Sequence, residues 1–205
     1  MSARCVESAR PGSRAGQPLL SSAVEQIRVV DSDDSWATAA AALISELWVA
    51  LPSIWEQLEH IGSTSVPGLA AKPVVDLMAS TADLARVVAA EDDALSPLGY
   101  VRTETGMTGR LFYRREPGVT LRSGLAVHLH VVPSEDWATQ NERLLRDHLL
   151  VHPEDAARYG DLKRLLADEF DDPVAYTRAK TALIQEMVDR ARSDRGLPPV
   201  NVWAD

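Results

Sequence analysis

The residues of this chain whose types and spacing could do chemistry are a Gly-Ser-Thr-Ser turn, one aspartate inside an apolar segment, and a small set of histidines. Gly62, Ser63, Thr64 and Ser65 follow the stretch IWEQLEHIG and supply backbone N–H groups and three hydroxyls, all able to hold phosphate oxygens. Lys72 adds a positive charge nearby. Eleven residues beyond Ser65, Asp76 stands inside VVDLM, where an ionised carboxylate is costly unless it is paired or at work. It can hold a divalent metal bridging a bound phosphate, pair with Lys72, or cap a loop. Neither GxxxxGK[ST] nor GxGxxG occurs, so the turn is neither a Walker loop nor a dinucleotide fingerprint.

His128 and His130 form an HLH triplet. On a strand both imidazoles share one face, about 7 Å apart. With Asp76 they make a candidate metal site or an acid–base site. His148 and His152 stand at i,i+4 but lack an HExxH context, which favours a helix surface or a packing role. His60, just before Ile61-Gly62, reads as a brace for the turn or as one more ligand.

The elements that must position these residues follow from periodicity. IRVV at 27–30 reads as a short strand, and DSDDSW precedes an alanine-rich helix ending near Leu51-Pro52. IWEQLEHIG is extended and KPVVDLMA is a buried strand, while residues 81–95 carry helical spacing. YVRTET, RLFYRRE and LAVHLHVVP read as three strands. Three helices then start near Glu135, Pro153 and Pro173, two of them with proline in the first turn. The expected class is α+β, a mixed sheet with flanking helices. Its expected organisation is a tail over 1–24, a core over 25–133, a helical region over 134–197 packed on that core, and a tail over 198–205.

Length and charge narrow the function further. A chain of 205 residues, 45% hydrophobic and 25% charged, can build one core that buries roughly 70% of its unfolded surface. The lone Cys5 forms no internal disulfide and fits a reducing compartment. The net charge of −9 divides unevenly: residues 1–30 carry +2, leaving 17 basic and 28 acidic side chains, or −11, on the rest. So acidic a body is a poor partner for polymeric nucleic acid, whose affinity rests on phosphate neutralisation. No apolar run is long enough to span a membrane, and no signal core follows the N-terminal arginines, so a cytoplasmic location is expected. The oligomeric state is not encoded in any motif.

HIGSTSVPGLAAKPVVDLM resembles the signature of the GrpB family. VHLHVV is similar to its HLHV strand, and ERLLRDHLLVHPEDAARYGDLKRLLA to its helical stretch with Arg146-Asp147, Tyr159 and Lys163. Tyr176 and Lys180 meet its closing Y-x-x-x-K. The resemblance implies a nucleotidyltransferase-like superfold, in which a GS turn, a D-x-[D/E] pair and a third carboxylate hold two Mg²⁺ ions for attack on a nucleoside triphosphate. Gly62-Ser63 and Asp76 match this pattern; Met78 replaces the second acid, and His128 and His130 stand where the third is expected.

The resemblance therefore implies a rewired site. Gly62, Ser63, Thr64, Ser65 and Lys72 would hold a nucleotide or other phosphorylated small molecule, with Arg110, Arg114, Arg146 and Lys180 as further phosphate ligands. Asp76 would bind one metal (Mg²⁺, Mn²⁺ or a transition metal through the histidine pair), and His128 or His130 would act as ligand or base. Each arginine, like Lys180, can equally be a solvated surface residue. Two other readings stay open: a non-catalytic module binding a nucleotide or coenzyme A, since family members occur fused to dephospho-CoA kinase, and a metal-dependent small-molecule enzyme built on His128, His130 and Asp76.

Overall fold

A computed structural model describes residues 27–118 and 125–202. The tail expected over 1–24, with Cys5, and the final residues 203–205 lie outside the described residues. The first helix, α1 (Ser35–Ala50), buries Trp36, Ala40, Leu43 and Leu47, a 4-3-4 spacing that puts all four on one face. It ends at Leu51, ahead of Pro52.

Five strands form one mixed sheet: β1 (Gln57–Ile61), β2 (Val74–Thr81), β3 (Val101–Arg102), β4 (Leu111–Arg115) and β5 (Ala126–Pro133), in the spatial order β1-β2-β5-β4-β3. The central pair β2 and β5 is parallel and every other pairing is antiparallel. One face carries Val75, Leu77 and Ala79 of β2 with Val127, Leu129 and Val131 of β5, and forms the main core with α1 and α2 (Leu84–Ala90). The opposite face carries Asp76 and Met78 beside His128 and His130. Both faces are covered in part, which explains why the central strands read as almost continuously apolar.

The remaining helices are α3 (Asn141–Val151), α4 (Pro153–Glu169), α5 (Pro173–Ala179) and α6 (Thr181–Ser193). They pack beside the polar face of the sheet, so the expected α+β class is the one observed. Local boundaries differ where tertiary partners intervene. IRVV contributes one isolated bridge, Val30 to Ala71, and no strand. The helix expected to 95 stops at Ala90, where Glu91 turns its carboxylate to accept the Tyr113 hydroxyl at 2.8 Å and a π turn follows. YVRTET forms only the two-residue β3. The helix expected from Glu135 begins as a 3-10 turn and breaks at extended Gln140. The last helix divides at Lys180 into α5 and α6.

Candidate functional site

The polar face of the sheet opens into a cleft of about 290 Å³, lined by Gly62, Ser63, Thr64, Lys72 and Asp76, by His128, and by Tyr159, Lys163, Tyr176, Thr177 and Lys180 of the C-terminal helices. A larger groove of about 490 Å³ runs between the Val66–Ala70 loop and α3/α4, but it is mostly apolar and holds none of the chemically competent residues above. The smaller cleft is therefore the candidate site. Its walls come from both the core and the helical region of the chain.

The turn at its mouth is built by position. Gly62 has φ +71°, and a Cβ there would stand 2.4 Å from Asp76 Oδ2, so both backbone conformation and the approach of β2 demand glycine. Ser65 Oγ donates to Gly62 O at 2.6 Å, and Thr64 Oγ1 donates to Val74 O at 3.0 Å while meeting His60 Nε2 at 2.9 Å. Ser65 therefore closes the turn and is not among the residues lining the cleft, contrary to its expected role as a phosphate ligand. His60 braces the turn as the first of its two readings had it, and burial lowers its pKa, with Asp76 opposing. Gly62→Ala should cost about 2–4 kcal/mol in chemical unfolding, from strain plus clash, whereas Gly68→Ala, at φ +78° in open space, should cost about 1 kcal/mol.

Asp76 and His128 face one another across the parallel pair, with Asp76 Oδ1 3.1 Å from His128 Nδ1. Each side chain is still more than a quarter exposed, so the pair forms a wetted floor to the cleft. His130, two residues on, has partners of its own. The Phe112 ring packs edge-on against it at 4.9 Å, and Arg110 approaches its Nδ1 at 3.5 Å. Burial lowers the His130 pKa, against the fields of Asp76 and Glu142. Among the described residues, no three His, Cys, Asp or Glu side chains are placed to hold a metal ion. The expected metal set of Asp76, His128 and His130 is thus not assembled.

The arginines also lie elsewhere than expected. Arg110 is engaged by Glu142 and Gln140 at the start of α3. Arg146 is held by Glu59 at 2.7 Å, by Asp147 and by the His60 carbonyl, clamping α3 to β1. Arg114 is half exposed and meets Glu116 at 3.6 Å. None of the three lines the cleft, because carboxylates on neighbouring elements hold the first two and solvent takes the third.

Lysines supply the positive charge instead. Lys72 and Lys180 approach the Tyr176 ring, with Nζ 4.4 and 4.2 Å from its centroid, and Lys163 Nζ stands 4.4 Å from that of Tyr159. Lys163 is only 3% exposed and its Nζ has no hydrogen-bond partner. Burial, reinforced by Lys180 and Arg164, pulls its pKa down to about 7 despite Asp76. Burial and Lys72 pull Lys180 down to about 8. Burial pushes the Tyr176 phenol up to about 12, and it pushes Tyr159 higher still despite a hydrogen bond to Ser63. Lys72 and Lys180 line the cleft as expected, and Lys163, Tyr159 and Tyr176, which are not among the expected ligands, line it with them. The signal for them was the twice-used Tyr-x-x-x-Lys spacing, at 159/163 and 176/180, which sets each lysine one helical turn beyond its ring.

The family model described as GrpB protein matches residues 26–190. The chain belongs to the GrpB family. It is 36% identical over 173 residues to a UPF0157 protein of Streptomyces coelicolor, covering 83% of this chain and 87% of that one. The crystal structure of the conserved protein GrpB from Enterococcus faecalis superposes on 82% of this chain and 99% of its own, at 26% identity and a TM-score of 0.72. A structure of the Cid1 poly(U) polymerase bound to MgATP overlaps 64% of this chain and 45% of its own, at 12% identity and a TM-score of 0.42. No helix among the described residues of this GrpB chain is long and apolar enough to cross a membrane.

The resemblance also implied two Mg²⁺ ions, and the donors of this GrpB cleft do not fit them. Mg²⁺ takes octahedral oxygen coordination. Asp76 is the one carboxylate among the lining residues, its Oδ1 is occupied by His128, Met78 takes the next position on its face, and the other titratable groups lining the cleft with them are three lysines and two tyrosines.

Proposed function

We propose that this GrpB protein binds a nucleotide or other phosphorylated small molecule in the cleft and transfers a nucleotidyl group from it. The carrying observation is the convergence of Lys72, Lys163 and Lys180 with the Gly62–Thr64 turn around an Asp76–His128 pair. Cations and hydroxyls of this kind hold phosphate oxygens, and a carboxylate behind an imidazole makes an oriented base. If Asp76 accepts from Nδ1–H of His128, Nε2 is left as the acceptor. An acceptor hydroxyl or amine would lose its proton to Nε2 and form a bond to the α-phosphorus. The bond to the β-phosphate oxygen would break, and pyrophosphate would leave along the lysines. The GS turn and Asp76, the two matches to the nucleotidyltransferase pattern, support the same reading.

The test is thermal unfolding with ATP, CTP and coenzyme A in turn, followed by pyrophosphate release from whichever triphosphate binds. At a hundredfold excess over Kd, a bound ligand should add about 2.7 kcal/mol, which for a chain of this size raises Tm by roughly 5–11 °C. Asp76→Asn should slow pyrophosphate release by about a hundredfold or more, because the imidazole loses its orienting carboxylate, while weakening binding less than about tenfold. No Tm shift with any of the three would sink the reading. A shift without turnover would favour the binding module.

A further inference from the structure

We infer that the cleft takes a metal-free polyphosphate, at least two adjacent phosphate groups, with Lys72, Lys163 and Lys180 supplying the neutralising charge that chelated divalent ions would otherwise supply. This rests on the phosphate-ligand reading above and specifies its chemistry.

The charge balance of the cleft argues first. Three lysine amines line it against one carboxylate, Asp76, which already faces His128, and a bound polyanion would hold all three as ammonium ions. Cations lining one cleft repel one another unless an anion joins them, and a chain of two or more phosphates brings more negative charge and reaches across more of the cleft than a single phosphate. Burial argues second. Lys163 is 3% exposed, lines the cleft and has no hydrogen-bond partner for Nζ, a costly state for a group with three donors. A phosphate oxygen at that point would satisfy it. Position argues third, because Tyr159 and Tyr176 hold Lys163 and Lys180 by their rings. The cations are thus oriented before any ligand arrives. Size agrees as well: about 290 Å³ lies at the lower end of small-molecule sites (roughly 300–1,000 Å³) and suits a phosphate chain whose nucleoside extends outward. The disagreement with two Mg²⁺ ions, shown above from Met78, His128 and the surrounding lysines, completes the case.

The experiment is isothermal titration of the full chain with sodium tripolyphosphate, in EDTA and again in excess magnesium, with inorganic phosphate as the short comparison. The expected result is binding in EDTA with a Kd within about threefold of, or tighter than, that in magnesium. Inorganic phosphate should bind at least about tenfold more weakly, and Lys163→Met and Lys180→Met should each weaken tripolyphosphate at least about tenfold. Circular dichroism of each variant confirms that it is folded. Tripolyphosphate binding that requires magnesium would overturn the inference and leave the phosphate-ligand reading standing. So would Tm shifts by nucleotides with no tripolyphosphate binding in either medium. Silence of both tripolyphosphate and nucleotides would overturn the two together.

Discussion

Replacing Lys163 with methionine should make the ligand-free protein more stable while weakening the phosphate binding proposed above at least about tenfold. The side chain is buried without a hydrogen-bond partner, and its folded-state pKa of about 7 lies well below the ordinary 10.5. Between those values the unfolded chain binds the proton and the folded chain does not, so unfolding stability rises with pH across that window. The difference amounts to roughly 5 kcal/mol at about 1.4 kcal/mol per unit. Methionine keeps the unbranched stem against Tyr159 and carries no charge. Urea unfolding of Lys163→Met at pH 7 should therefore show a gain of about 2 kcal/mol or more. The rise in stability from pH 7 to 9.5 should shrink, the remainder coming from Lys180 with its pKa of about 8. A loss of stability at pH 7 would mean that the ammonium is satisfied in the ligand-free protein. A stabilised variant with weakened ligand binding is the pattern of a group kept for function at the expense of the fold.

The opposite result is expected at Asp155, eight residues earlier on α4. Its carboxylate is 2% exposed and accepts from His148 Nε2 of α3 at 2.8 Å, from Arg190 of α6 at 2.8 Å and from Arg158 at 2.9 Å. Burial alone would raise its pKa, but hydrogen bonds from His148, Arg190 and Arg158 outweigh it and bring the value down to about 2. A carboxylate whose folded pKa is depressed contributes stability above its unfolded value near 3.8, and that contribution is lost as pH falls through about 2. Asp155→Ala leaves His148 and Arg190 without their shared partner inside the helical layer. The expected cost is about 3–5 kcal/mol, or roughly 6–20 °C in Tm. Asp161→Asn, on an exposed position of the same helix, should change stability by no more than about 0.5 kcal/mol. If Asp155→Ala melts with the parent, the junction does not hold these helices together. Because Asp155 shares its helix with Tyr159 and Lys163, the same junction sets the wall of the cleft.

The histidines show how far local pattern reaches. HLH on a strand requires a shared face, and His128 and His130 do share one. Phe112 of β4 packs against both rings, and what distinguishes them is Asp76 beside His128 and Arg110 beside His130, each from a distant part of the chain. His148 of α3 and His152, just past its end, stack at 4.0 Å, a packing role consistent with i,i+4 spacing, yet the carboxylate that fixes His148 comes from the next helix. The arginines teach the converse. Arg110 and Arg146 looked available because a sequence shows charge without partners, and the fold assigns each to carboxylates on a facing element.

By itself the sequence determined the α+β class, the GrpB membership, and the placement of Gly62, Ser63 and Asp76 at a polar turn beside a buried strand. The class and the placement follow from local causes, namely side-chain period, a turn of small and hydroxyl residues, and the cost of a carboxylate in an apolar run, and the membership follows from the motifs; that Gly62 must be glycine was shown only by the fold. The tertiary structure alone decided which charges face the cleft. Lys72 comes from the loop before β2, Lys163 from α4 and Lys180 from the break after α5, more than a hundred residues from first to last. Their convergence depends on how the helical layer docks on the sheet, and docking is set by long-range packing and ion pairs that no spacing along the chain records.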